Sequence, residues 1–276
     1  MVNIVENNKP LVSVLIGTYN RASLINRCIN SILNQSYENI EIIIINDASV
    51  DNTIKVLEEY VTKYPKKIQI INNEINRGIS YNCNLAYSKA KGEYLALVGD
   101  DDEWHDHEKI SKQIKAFENN KKLGIVSTYW NDVKNGEIVK RHKPIVGKSP
   151  LCQILKGNGV YCGSTVLVSK QAWESVNGFD ERVSKGTDSD LFRSIIVKGY
   201  TTEILEFFST NVYIDDHSRM TPENTLSSKK DALFSHSYAL YKFKTKYIRC
   251  PFSLARRVYS ILSTLKSLTK FYIKKR

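Results

Sequence analysis

The 276-residue sequence predicts an α/β fold: a mostly parallel central sheet flanked by helices, followed by a helical C-terminal tail. Three features lead there. Short, almost wholly apolar runs alternate with stretches of helical spacing over the first hundred residues, the pattern of a parallel sheet covered on both faces. The fourth run ends abruptly in Asp100-Asp101-Asp102, at the edge where open α/β sheets bind ligands. From Lys242 to Arg276 there are eleven Lys and Arg and no acid.

The elements follow in order. Leu11–Ile16 is a β-branched run ending at Gly17-Thr18-Tyr19-Asn20-Arg21. Leu24, Ile25, Cys28, Ile29, Ile32 and Leu33 then recur at helical spacing. Ile40–Ile45 predicts a second strand, ending in Asn46-Asp47-Ala48-Ser49, and Asp51-Asn52-Thr53 offers N-cap chemistry for a helix to about Lys63. Ile68–Ile71 is a third strand, with a turn over 72–78 and a helix near 80–90; Tyr94–Val98 is the fourth. Beyond residue 104 the rhythm loosens. A helix near 107–118 precedes a strand over 124–129 and a hairpin at 133–139, whose Asn135-Gly136 is a strong turn signal. Residues 141–162 read as loop with one short helix. A strand at 164–168, a helix at 170–176, the turn Gly178-Phe179-Asp180-Glu181 and a helix near 188–198 complete the body. The expected division is two halves of one domain, 1–102 and 103–220, and a tail, 221–276.

Composition narrows the function. Hydrophobic content of 42% and charged content of 25% are those of a globular protein. No apolar stretch reaches the ~20 residues that span a bilayer, and the polar start is no secretory signal. The five cysteines (28, 83, 152, 162 and 250) lack metal-type spacing and are expected to be reduced thiols in a cytoplasmic protein. The net charge of +11 resides in the tail, since the remaining 29 basic residues balance the 29 acidic ones. A neutral body and a tail without a nucleic-acid motif exclude a nucleic-acid-binding function.

Adjacent carboxylates repel one another, so the Asp triplet is either a solvated acidic turn or a site for a divalent cation bound to phosphate. No Gly-x-Gly-x-x-Gly follows the first strand, which argues against nicotinamide or flavin binding. Four strand ends bring polar groups to one edge: Thr18 with Asn20, Asp47, Asn76 with Gly78, and the triplet. Together they suit a nucleoside diphosphate.

In order along the chain stand Val12-Ser-Val-Leu-Ile-Gly-Thr-Tyr-Asn-Arg21, Ile43-Ile-Ile-Asn-Asp-Ala-Ser-Val-Asp-Asn-Thr53, Asn76-Arg-Gly-Ile-Ser80, Lys91-Gly-Glu-Tyr94 and Asp100-Asp-Asp-Glu-Trp104. Gly178-Phe-Asp-Glu181, Asp188-Ser-Asp190 and Lys198-Gly-Tyr200 extend the series. Over about residues 10–215 the chain resembles the family 2 glycosyltransferases of the GT-A fold, a Rossmann-like architecture. The resemblance implies transfer of a sugar from a nucleotide donor, with a UDP-sugar favoured, to a hydroxyl of a glycan or lipid-linked acceptor. Inversion at the anomeric carbon and a role in bacterial surface-polysaccharide synthesis go with it.

By the same resemblance Thr18, Tyr19, Asn20, Arg21, Asp47, Asn76, Gly78, Asn84, Asp100 and Asp101 contact the nucleotide sugar. Asp101, with Asp102 and His217, holds Mn2+ or Mg2+. Asp188 is the catalytic base, although an N-cap role suits it equally. Asp190 reads as a first-turn helix acid, and Arg193 is placed to hold an aspartate or a phosphate. His105 and His107 read as solvated. Three departures stand out: Gly99 where relatives carry a first aspartate, Cys83 for an arginine, and Thr187 for a glutamate.

In the tail, Leu254, Val258, Ile261, Leu262, Leu265 and Leu268 recur at helical spacing beside Arg256, Arg257, Lys266 and Lys270. Such a cationic amphipathic helix suits an anionic membrane surface, placing the protein on the inner face of the plasma membrane. It would equally pack on the body or on another subunit, and the oligomeric state is left open. Two rival functions remain. A sugar-nucleotide pyrophosphorylase would carry a Gly-rich phosphate loop after the first strand, which Gly17–Arg21 is not; a non-catalytic nucleotide-binding scaffold on the membrane would retain the fold alone.

Overall fold

The computed structural model describes residues 9–145, 150–156, 161–214 and 225–273. Strands β1 (Val12–Thr18), β2 (Ile40–Asn46), β3 (Ile68–Asn72) and β4 (Tyr94–Leu97) alternate with helices α1 (Ile25–Leu33), α2 (Thr53–Lys63) and α3 (Ile79–Lys89). Then come β5 (Glu103–Trp104), α4 (Lys109–Asn119), β6 (Leu123–Lys134), β7 (Glu137–His142), α5 (Pro150–Lys156), β8 (Leu167–Ser169), α6 (Lys170–Glu174), α7 (Thr187–Val197) and β9 (Thr201–Tyr213). The tail is α8 (Leu226–Lys242), α9 (Lys244–Tyr247) and α10 (Pro251–Ile273).

The strands form one sheet in the order β3-β2-β1-β4-β8-β6-β9-β5, with β7 on β6. β1 pairs in parallel with β2 and β4, and β2 with β3. The second half is mixed: β8 is antiparallel to β4 and β6, whereas β9 runs parallel to β6. Every β1 residue is buried because both sheet faces are covered. Val12, Val14 and Ile16 join the cluster under α1, α2 and α4, while Leu15 joins that under α3, α6 and α7. Parallel register sets Thr18 beside Asn46 and Asn46 beside Asn72, so the strand ends share one edge.

Several expectations change. Residues 163–165 form a 3-10 turn ahead of β8 instead of the start of a strand, and that turn enters the site described below. β9 is a thirteen-residue strand where none was expected; its half-exposed, mixed polar pattern hides the usual alternation. The Asn135-Gly136 hairpin is present with both residues at positive φ, 52° and 81°. Cys152 and Cys250 form a disulfide joining α5 to the start of α10, which corrects the expectation of five reduced thiols. Their separation of 98 residues conceals a Cα–Cα distance of 5.3 Å, well within bridging range. Cys28, Cys83 and Cys162 are free thiols.

The tail packs on the body through Leu155, Ala239, Phe243, Tyr247 and Cys250. Only part of the predicted stripe of α10 is covered: Leu268 is buried, while Val258, Leu262 and Leu265 remain exposed. Among the described residues no helix is long and apolar enough to cross a membrane.

Candidate active site

The ends of β1, β2 and β4 build the site's floor. After β2 the chain turns tightly: Asn46 Oδ1 accepts the Ser49 amide, and Ala48 sits at φ 61°. Left-handed backbone at a residue with a Cβ costs about 1–2 kcal/mol, and it keeps Asp47 at the edge. Asp47 Oδ1 accepts the Arg77 amide at 2.8 Å and the Asn73 side-chain amide at 2.8 Å, and Oδ2 accepts the Gly78 amide at 2.9 Å. Burial pushes the Asp47 pKa up, but these donors outweigh it and hold it below the ordinary value. Asp47 is therefore a fixed anion. Asn20, at φ 53°, ties the end of β1 to the same turn through the Ser49 hydroxyl and the Val50 amide. Tyr19 is 39% exposed beside it, and Asn76 lies exposed on the loop after β3.

The acid triplet behaves differently. Asp100 is 2% exposed; its nearest cation is Arg21, with Nε 3.9 Å from Oδ1. Asp100 Oδ2 and the Thr18 hydroxyl are buried without a hydrogen-bond partner among the described residues. Burial and then Asp101 push the Asp100 pKa up to about 7. Burial likewise raises Asp101, against Arg21 and Arg27, and burial with Asp101 raises Asp102. Burial is the leading cause in all three, and Arg21 and Arg27 offset it only in part.

Gly99 explains one departure noted in the sequence. A Cβ there would lie 3.0 Å from both Asp101 Oδ1 and Asp102 Oδ2, so the two carboxylates close over a space that any side chain would fill. Asp102 is held by Ser164, whose hydroxyl donates to Oδ2, and by the Tyr213 amide at 3.2 Å. Ser164 in turn accepts the Gly99 amide at 2.9 Å, and its carbonyl accepts Trp104 Nε1 at 2.7 Å. Arg27 donates to the Asp101 carbonyl at 2.5 Å while stacked over Tyr213.

Among the described residues no three His, Cys, Asp or Glu side chains converge as a ready metal cage. Two carboxylates, an orphaned buried oxygen and excess negative charge nonetheless fit a hard divalent cation, which usually takes one or two carboxylates and completes its shell with phosphate and water. His217 lies outside the described residues.

Asp188 stands across from the triplet. It opens α7 after Gly186, itself at φ 70°. Helix N-termini lower acid pKa values, yet burial dominates and raises that of Asp188. Gly163 makes room for it, since a Cβ there would collide with Asp188 Oδ2. One cavity of about 220 Å³ is lined by Gly99, Asp102, Ser164 and Asp188, with Cys83 and Cys162 in its walls. A carboxylate able to take a proton thus shares a compartment with an acid turn able to hold a cation.

The structure brings Thr18, Arg21, Asp47, Gly78 and Asp100–Asp102 to one edge and Asp188 into its cavity. Asn84 is drawn elsewhere: its side chain exchanges hydrogen bonds with the Phe179 backbone and donates to Glu181, so it fixes the 178–181 turn. Asp190 is buried and takes Lys242 Nζ at 2.5 Å, fastening the tail. Sequence reasoning missed Arg27, Asn73, Gly163 and Ser164. The Gly163-Ser164 pair was the only visible cue, and it reads as an ordinary loop until β8 sets it against β4.

Comparison with known proteins follows the same line. The family whose model matches residues 13–176 is glycosyl transferase family 2. WcaA of Escherichia coli K12, named for a glycosyl transferase of colanic acid biosynthesis, is 31% identical over 245 residues, covering 86% of this chain and 83% of its own. The mannosyltransferase PcManGT from Pyrobaculum calidifontis, in complex with GDP-Man and Mn2+, aligns with a TM-score of 0.66 and 17% identity over 96% of this chain and 75% of that one. TarS of S. aureus, in complex with UDP-GlcNAc, aligns with a TM-score of 0.64 and 16% identity over 95% and 73%. At such identities the structural likeness concerns the fold.

Proposed function

Because this chain belongs to glycosyl transferase family 2 and has the GT-A fold, we propose that it is a metal-dependent, inverting glycosyltransferase of polysaccharide synthesis, taking a nucleotide sugar and extending a glycan or lipid-linked saccharide. The observation that carries this reading is a cavity lined by Asp188 on one side and by Gly99 and Asp102 of the acid turn on the other. The colanic acid relative supports polysaccharide synthesis. The resemblance favours a UDP-sugar as donor; neighbours bound to UDP-GlcNAc and to GDP-Man share the fold, and the titration below separates the two nucleotides.

In this reading residues 1–102 form the donor half and 103–220 the acceptor half. Thr18 and Asp47 read the nucleoside, with Tyr19, Asn20, Arg21, Asn76 and Gly78 around it, and Asp100 reaches the ribose or the sugar. Asp101, with Asp102, would hold Mn2+ or Mg2+, which supplies positive charge to the nucleoside diphosphate leaving group. Asp188 takes the proton of the acceptor hydroxyl as that oxygen bonds to the anomeric carbon; the carbon–oxygen bond to the diphosphate breaks on the opposite side. Its raised pKa makes Asp188 a stronger base than a solvated carboxylate.

Phe252, Tyr259 and Leu262 on α10 are 87%, 70% and 59% exposed. Arg256, Lys266 and Lys270 lie exposed on the same helix. This surface suits an anionic membrane, where a lipid-linked acceptor would lie.

Calorimetric titration with UDP, GDP, CDP and ADP, each with and without Mn2+, tests the donor site. One nucleotide is expected to bind, and only with metal. Asp188→Asn is expected to retain that binding while sugar transfer falls by roughly 10²–10⁴-fold. Joint loss of binding and transfer would sink the base assignment, and metal-dependent binding by a wild-type protein that never turns over would point to a scaffold.

A further inference from the structure

A basic cleft of about 120 Å³ lies between α7 and the tail, apart from the cavity that holds Asp188. Lys185, Ser189 and Arg193 form one wall, and Ser235, His236 and Arg257 the other. Ser189 and Arg193, four residues apart, share a face of α7; Asp188, one residue earlier, turns to the reaction cavity.

Among the described residues four basic side chains line the cleft, Lys185, Arg193, His236 and Arg257, and no carboxylate does. Arg193 and Arg257 are each 5% exposed. Arg257 is partly satisfied: Nε donates to the Tyr247 hydroxyl at 2.8 Å, Nη2 to the Leu155 carbonyl at 3.3 Å, and Nη1 to His236 Nδ1 at 2.9 Å. Because arginine only donates, His236 carries its proton on Nε2. Burial, followed by Arg257, Arg193 and Lys185, holds the His236 pKa below its ordinary value. Burial and the Arg257 charge bring Arg193 down to about 10. The carboxylate near Arg193 is Asp190: its Oδ2 takes Lys242 at 2.5 Å, and its Oδ1, 3.9 Å from Arg193, is buried without a hydrogen-bond partner among the described residues, so it leaves Arg193 Nε unanswered.

Two donors are left over. Arg193 Nε and Ser235 Oγ are buried with no hydrogen-bond partner among the described residues. A buried donor left without an acceptor destabilises the fold unless a ligand satisfies it. The α7 N-terminus beside Gly186 adds the positive end of a helix dipole. A tetrahedral dianion would answer all of these at once, since its several oxygens accept from guanidinium, ammonium, imidazole and hydroxyl together.

We propose that this cleft binds a phosphate group, with Lys185, Arg193, Ser235 and His236 as its donors. The phosphate comes either free from solution or as part of a phosphate-bearing acceptor; the second source rests on the transferase reading. A phosphate seated here lies on the helix that presents Asp188, so it would orient an acceptor while leaving its hydroxyl in the reaction cavity.

The test uses the full chain without added metal. The ring C–H resonance of His236, identified by its loss in His236→Gln, is followed by NMR while inorganic phosphate or farnesyl diphosphate is added. Inorganic phosphate is expected to move this resonance saturably. Lys185→Gln and Ser235→Ala, both at sites that should tolerate the change, are each expected to weaken the effect about tenfold. Farnesyl diphosphate binding at least about tenfold tighter assigns the site to a lipid-linked acceptor, and equal binding assigns it to free phosphate. A resonance that stays still at tens of millimolar phosphate, or variants that titrate like the wild type, overturn the proposal. The readout reports binding whether or not a donor sugar is turned over, so its failure is separate from failure of the transferase reading.

Discussion

Two groups of buried aspartates in this protein reach opposite electrostatic ends. At the strand edge, the cations beside Asp100–Asp102 among the described residues are Arg21 and Arg27, and burial raises all three pKa values. At the tail junction, Asp180 and Asp190 share Lys242, with Nζ at 3.1 and 2.5 Å. Burial would raise Asp180, but hydrogen bonds from Arg182, Tyr238 and Lys242 hold its pKa well below the usual carboxylate range. Aspartates matched with cations fasten one part of the fold to another. Buried aspartates short of positive charge, with Gly99 clearing the space between two of them, are where the proposed cation would sit. The basic cleft beside the tail junction is the mirror case, with cations short of an anion.

The sharpest break in this comparison is Asp101→Ala. Removing one acid from the mismatched cluster should leave folding nearly unchanged, while metal-dependent nucleotide binding weakens about 100-fold or more, equivalent to about 2.7 kcal/mol. Calorimetry with and without Mn2+ separates the two effects, and unchanged metal-dependent affinity would remove Asp101 from the cation site. The same kind of change in the matched cluster should do the reverse. Lys242→Met leaves Asp180 and Asp190 without their shared cation and should cost about 3 kcal/mol of stability, measured by urea unfolding, with Mn2+-nucleotide affinity preserved.

The disulfide tests the same junction covalently. Cys152→Ser with Cys250→Ser should lower stability by about 2–3 kcal/mol, because the bridge closes a long loop in the unfolded chain. Unfolding midpoints that coincide with and without the bridge would show that packing alone holds the tail.

The smallest expected effect is a pH dependence. An acid whose folded pKa is depressed contributes stability that is present above its unfolded value of about 3.9 and lost as pH falls through the folded value. Wild type should therefore exceed Asp180→Asn in melting temperature near pH 6, and the gap should narrow steadily below about pH 4. A constant gap would mean that Asp180 acts through shape and not through charge.

Much of the first half was legible because its signals are local. β1, β2 and β3 are largely apolar runs closed by polar turns, and near-complete burial of β1 and β2 leaves them little room for polar residues. Helices α1 to α4 fall where the spacing places them. The second half was less legible for a physical reason. β9 is half-exposed along one side, so Thr201–Tyr213 mixes polar and apolar residues without the alternation of a strand. Its parallel pairing with β6 depends on β8 being inserted antiparallel beside β4, which no short-range pattern encodes. Asn84 illustrates the limit at a single residue: its position in the motif series suggests the donor, and its contacts tie down the 178–181 turn.

By itself the sequence determined the parallel βα layout of the first hundred residues, the acidic edge after β4 and the basic, amphipathic tail. Each follows from spacing, burial and charge within a short window. Tertiary structure alone decided that Asp188 faces the acid turn, that Ser164 and Gly163 shape the space between them, that Cys152 meets Cys250, and that Arg193 and Arg257 meet across one cleft. Those pairings join residues far apart in the chain, and they exist only once the sheet and the tail have closed around them.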